Sequence, residues 1–88
     1  MNIDIEELKK KIIYRSQYRG TREMDKLLSA FVLKYINKLN KSQLLELEKF
    51  LNIDDENLLK YYNGLKTERK FEKNYITDLF KNFNYNLK

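Results

Sequence analysis

Apolar residues recur at three- and four-residue steps along nearly the whole of this 88-residue chain, and no stretch alternates as a half-buried strand does. With no proline and only two glycines to interrupt it, that periodicity leaves little besides helices joined by turns. Ile5, Leu8 and Ile12 share one face of a first helix, expected from about Asp4 to about Arg15, with Asp4 as cap and Glu6 and Glu7 in the first turn. A second helix, from about Thr21 to about Asn37, carries Met24, Leu27, Leu28, Phe31, Tyr35 and Ile36 on a stripe wide enough to be core. Asn40 and Gln43 have capping-box spacing ahead of a third, which buries Leu44, Leu47, Phe50 and Leu51. Asp54 or Asp55 caps a short fourth helix bearing Leu58, Leu59 and Tyr62, and Gly64 ends it in a left-handed turn. Thr67 is the candidate cap of the last helix, whose apolar side is Phe71, Tyr75, Ile76, Leu79, Phe80 and Phe83; beyond about Asn84 the tail is expected to fray. Short helices cannot bury such stripes alone. The expected fold is therefore all-α, one domain over residues 1–88, a compact bundle of about five helices.

The residue types that carry most chemistry are missing. There is no cysteine and no histidine, which removes thiolate chemistry, disulfides, the usual zinc ligands and the usual general base at neutral pH. No loop spaces acidic residues around a glycine as calcium binding requires, and two isolated glycines cannot build a phosphate loop. An enzyme would need a nucleophile, a tuned base or a metal, and the scattered carboxylates, lysines, serines and tyrosines form no convergent motif. No apolar run approaches the roughly 20 residues that span a bilayer. The acidic start, Met1 to Glu7, runs straight into a helical pattern, unlike a secretory signal or a transit peptide, so a bacterial cytoplasmic protein is expected.

The formal net charge is +5, and its distribution is uneven. Residues 1–44 hold ten cations against five carboxylates, residues 45–88 eight against eight. Lys9, Lys10, Lys11, Arg15, Arg19, Arg22 and Lys26 form a basic stretch interleaved with Tyr14 and Tyr18, a mixture able to track phosphates and stack on bases. A small basic nucleic-acid-binding helical protein is thus the alternative reading. Against it, lysine, asparagine, isoleucine and tyrosine are abundant throughout, as in coding sequence drifting toward A and T.

Charge is densest around a glycine at Tyr18-Arg19-Gly20-Thr21-Arg22-Glu23-Met24-Asp25. If Gly20 caps the second helix, Glu23 takes the capping-box position and Asp25 adds negative charge against the helix dipole. Capping leaves Arg19 and Arg22 unexplained, since cations are disfavoured at that end. The other reading is a recognition surface made of Arg19, Gly20, Glu23 and Asp25, flanked by Arg15, Tyr18 and Arg22.

An Arg-Gly-x-x-Glu-x-Asp string at the start of the second helix of a chain this size resembles the succinate dehydrogenase flavinylation factor family of small assembly factors. Arg19, Gly20, Glu23 and Asp25 are the matching positions. The likeness continues through the apolar helix from Leu27 to Leu39, and the stretch from Phe50 to Gly64 is similar to the family's leucine, acidic pair, leucine, aromatic, glycine order. The final helix is similar in pattern only. Tyr18 stands where the family often has a second arginine, Thr21 where it often has an apolar residue, and Tyr61 where it often has tryptophan; the prolines usual after the glycine are absent. Tyr61 keeps an aromatic plug with a polar tip. Asp54 and Asp55 are read as cap and dipole partners.

The resemblance implies a non-catalytic assembly factor. It would bind the flavoprotein subunit of succinate dehydrogenase, or in some bacteria of fumarate reductase, and promote covalent attachment of FAD to a histidine of that subunit. It implies no stably bound cofactor on this chain, because FAD ends on the partner. No nucleic-acid partner and no membrane insertion are expected, and the chain is expected to be a monomer. In this picture Arg19 pairs with acidic or carbonyl groups of the partner, Glu23 holds Arg19 or a partner cation, and Gly20 lets two backbones approach. Arg19 is then an exposed charge whose loss leaves the fold nearly intact.

Overall fold

The computed structural model describes residues 4–85, and over them the chain forms α1 (Ile5–Gln17), α2 (Arg22–Tyr35), α3 (Lys41–Phe50), α4 (Asp55–Tyr62) and α5 (Tyr75–Lys81), with no strand among the described residues. Each helix start is closed by a side chain of its N-cap. Asp4 accepts from the Glu6 N–H, Asn40 and Gln43 satisfy each other's backbone in a full capping box, and Asp54 accepts from the Asn57 N–H. The Asn57 side-chain amide, and then its N–H, hold the Asp54 carboxyl below the usual aspartate range.

Two expected starts are corrected. Thr21, not Gly20, caps α2: its hydroxyl accepts from the Met24 N–H at 3.2 Å, which puts Glu23 at the second helical position and out of capping-box reach. Asn74, not Thr67, caps the last helix, because Asn74 and Thr77 form a reciprocal capping box seven residues further on. Phe71 consequently lies outside α5, in the irregular segment, where its ring stacks on Tyr61 at 4.2 Å. Gly64 adopts the left-handed conformation at φ 72°, with the Leu65 N–H on the Lys60 carbonyl and the Gly64 N–H on that of Tyr61, the two bonds of a Schellman motif.

The core is aromatic at its centre. Phe31 of α2 meets Tyr35, Phe80 and Phe83 edge-on at 5.2–5.4 Å and reaches Phe50 of α3 at 6.4 Å. Around it lie Leu8 and Ile12 of α1, Leu27, Leu28 and Val32 of α2, Leu44 and Leu47 of α3, Leu58 of α4 and Ile76 of α5, all buried. Helix α1 packs on α2 and α3, and α5 on α3 and α4. The chain stays ordered by contact through Tyr85, whose N–H donates to the Tyr62 hydroxyl at 3.1 Å and whose ring stacks on Phe83. Residues 86–88, most of the tail beyond about Asn84 that was expected to fray, lie outside the described residues.

Packing α1 on α3 has one consequence for the charged segment. The loop of residues 18–21, between α1 and α2, is brought against the turn of residues 51–54 that joins α3 to α4.

Candidate functional site

Arg19 does not point into solvent. Its side chain is only 11 % exposed, and its guanidinium donates from Nε to Asp55 Oδ1 at 2.7 Å, from Nη1 to the Leu51 carbonyl at 2.7 Å and from Nη2 to the Ile53 carbonyl at 2.8 Å. Nη1 also lies 3.4 Å from the Arg15 carbonyl at the end of α1. Arginine suits this place because its planar fork meets several carbonyls and a carboxylate at once. The turn after α3 ends in carbonyls that a helix C-terminus leaves without intrahelical donors, and Arg19 supplies them. The expectation that Arg19 is an exposed charge is therefore corrected, as is its pairing with Glu23: its ionic partner in the chain is Asp55.

The backbone of the same loop is pinned as firmly. The Arg19 N–H donates to Asp25 Oδ1 at 2.5 Å, and the Gly20 N–H to Asp55 Oδ2 at 2.8 Å. Asp55 thus accepts with both oxygens, one from the side chain of residue 19 and one from the backbone of residue 20. Position 20 is tight for a side chain, since a Cβ there would stand 3.3 Å from Asp55 Oδ2 and the carboxylate would have to give by a few tenths of an ångström. Its φ is not the left-handed one; among the described residues Gly64 alone has that.

Of the sequence-predicted site residues, the structure brings Arg15, Arg19, Gly20 and Asp25 into this network, with the Arg15 guanidinium bonded to Asn52 Oδ1 across from α1. It leaves Tyr18, Arg22 and Glu23 exposed. Tyr14 and Tyr18, one helical turn apart, pair their rings at 4.6 Å while remaining 63 % and 68 % exposed. The outer face of the loop is therefore two tyrosine rings, an exposed glycine, a threonine and an Arg-Glu pair of charges. Behind it sit three carbonyls and two aspartates holding it in shape.

Asp55 is the residue that sequence reasoning missed. Asp54 caps α4 and Asp55 was read only as a partner of the helix dipole, while Arg19 was matched with Glu23 or with groups of a partner protein. Two opposite charges 36 residues apart carried no local signal that they meet.

The basic stretch is dispersed by the fold. Lys11 pairs with Glu48 at 3.0 Å, Lys9 reaches Asn37 and Glu6, Arg15 bonds Asn52 and Arg19 turns inward, which leaves Lys10, Arg22 and Lys26 as its exposed cations without side-chain partners among the described residues.

A family model described as flavinator of succinate dehydrogenase matches residues 10–84. The chain belongs to that family. The match runs from α1 through the end of α5 and includes both halves of the Arg19–Asp55 network. Curated relatives agree. A protein named succinate dehydrogenase assembly factor 2, mitochondrial, from Aspergillus flavus is 40 % identical over 52 residues, 59 % of this chain and 18 % of that one. One of the same name from Saccharomyces cerevisiae is 39 % identical over 51 residues, 58 % of this chain and 32 % of that one. Another from Dictyostelium discoideum is 32 % identical over 78 residues, 89 % of this chain and 53 % of that one. The chain thus spans 18–53 % of the length of these relatives. No solved structure matches it significantly.

These relatives of the flavinator family correct the expected setting. They are mitochondrial proteins of eukaryotes, against the bacterial cytoplasmic location that the acidic start suggested. No helix of the described residues is long and apolar enough to cross a membrane.

Proposed function

We propose that this chain is a non-catalytic assembly factor that binds the flavoprotein subunit of succinate dehydrogenase as a single copy and promotes covalent attachment of FAD to it, with the flavoprotein of fumarate reductase as a further client. The observation that carries this reading is membership of the flavinator family over a stretch that contains the whole 18–25 segment. FAD belongs to the partner throughout. The factor holds no cofactor of its own, and its contribution is orientation: by docking, it favours the arrangement in which the flavoprotein's own residue and its flavin meet in reactive geometry.

The structure supports a division of labour within the segment. Tyr18, Gly20, Arg22 and Glu23 form the docking face, extended by Tyr14, because they are exposed and the rings offer area at low entropic cost. Arg15, Arg19 and Asp25 lie behind it as supports, since their polar groups are engaged within the chain. A joint Tyr18→Ala, Arg22→Ala and Glu23→Ala variant should melt close to the parent, because exposed positions usually shift stability by no more than about 0.5 kcal/mol each. Co-expressed with the flavoprotein, it should retain less of it in pull-downs and give weaker in-gel flavin fluorescence after denaturation. Full covalent flavin with this variant would move the docking face elsewhere, and capture of nucleic acid in place of a flavoprotein would revive the basic-patch reading.

A further inference from the structure

We infer that Asp55, on α4, is the positioning residue of the docking face: by accepting from Arg19 and from the Gly20 N–H together, it sets the backbone of residues 18–21 in the conformation that meets the flavoprotein. The inference rests on the assembly-factor reading and adds a residue to it from a separate helix.

The loop has few other means of holding its shape. Tyr18 is exposed, Thr21 is turned toward α2 as its cap, and Gly20 has no side chain. Its fixed points are Arg19 N–H on Asp25, the guanidinium on the α3–α4 turn, and the two bonds to Asp55. Asp25 is in the helix that the loop enters, so it fixes direction and not position against the rest of the bundle. Asp55 alone ties the Gly20 backbone itself to another part of the fold, 35 residues away. Neither oxygen is spare for the cap of α4, because Asp54 provides it. The contact is also close: a Cβ at residue 20 would stand 3.3 Å from Asp55 Oδ2, so the carboxylate would have to give by a few tenths of an ångström to admit a side chain.

Asp55→Asn is the direct test, since the carboxamide has the same shape but turns a donor toward either Arg19 or Gly20. Asp54→Ala is its control: it removes the α4 cap and lowers melting while leaving the Gly20 contact alone. Three quantities are measured on the full chain: melting temperature, the amide chemical shift and exchange rate of Gly20, and affinity for the flavoprotein with the yield of covalent flavin. For Asp55→Asn we expect a shifted, faster-exchanging Gly20 amide and roughly tenfold or greater loss of affinity, the scale of one charge-assisted hydrogen bond. Asp54→Ala should melt at least as low yet bind within about twofold of the parent, a difference that simple destabilisation would not produce. If Asp55→Asn does not fold, Asp55→Glu keeps the charge and displaces the carboxylate by one methylene, and it should likewise release the Gly20 amide and weaken binding. Parent-like affinity in a folded Asp55 variant whose Gly20 amide is released would overturn the inference, and so would an unmoved Gly20 amide. A parent chain that retains no flavoprotein would instead sink the assembly reading itself, and this inference with it.

Discussion

At the scale of single residues, the Arg19 guanidinium joins three places in the chain: the end of α1, the α3–α4 turn and the start of α4. Removing it orphans the Leu51 and Ile53 carbonyls and leaves the Asp55 carboxylate, itself largely covered, with Gly20 alone. Arg19→Ala should therefore cost about 2–3 kcal/mol, more than an exposed charge and somewhat less than a fully buried pair. Arg19→Lys keeps the charge but not the fork, and should fall between the two. Urea unfolding monitored by circular dichroism measures both, and parent-like stability of Arg19→Ala would show that the network carries little weight. The Arg-Gly string was legible in the sequence as a feature that helix capping does not account for. The direction in which Arg19 points was not, because its three shortest contacts lie 32 to 36 residues away and two of them are main-chain carbonyls, to which side-chain identity gives no clue.

At the scale of helices, three starts were legible from local spacing, with Asp54 one of the two aspartates expected to cap α4. Asp4, Asn40 and Asp54 each cap from within three residues, and the Asn40–Gln43 box is visible as spacing alone. Thr21 was overlooked as a cap beside the more conspicuous Gly20, although a hydroxyl can accept from the helix and a glycine cannot. Thr67 was the expected cap, with Phe71 on the helical stripe; that apolar ring is instead matched by Tyr61, a tertiary contact that periodicity does not report. The end of α4 offers a clean test. Gly64 has positive φ and open space where a Cβ would go, so Gly64→Ala carries only the backbone cost of a left-handed alanine, about 1 kcal/mol. For a domain of this size that is a fall of roughly 4–8 °C in Tm, readable by calorimetry. Under the proposed function, binding to the flavoprotein should be unaffected while the protein is folded.

At the scale of the whole molecule, the helices share one core through Phe31, and the Cα radius of gyration of 12.5 Å is that of a well-packed chain of this length. Phe31→Ala removes the ring at which α2, α3 and α5 meet, and should cost about 3–5 kcal/mol, against a total that a domain this small seldom greatly exceeds. Loss of near-ultraviolet dichroism with retained helix signal would be the expected result; a sharp, parent-like melt would mean that the core does not depend on this ring. The all-α architecture was legible because every helix writes its own apolar stripe, whereas the juxtaposition of the 18–21 loop with the α4 start depends on how the helices stack. That juxtaposition also orders events during synthesis. A ribosome releases residues 18–21 well before Asp55, and until the later segment has emerged the loop has Asp25 but neither the carboxylate nor the carbonyls that shape it. A nascent chain that ends before Asp55 therefore displays the right letters in the wrong form, and the loop takes its shape only once that carboxylate has emerged.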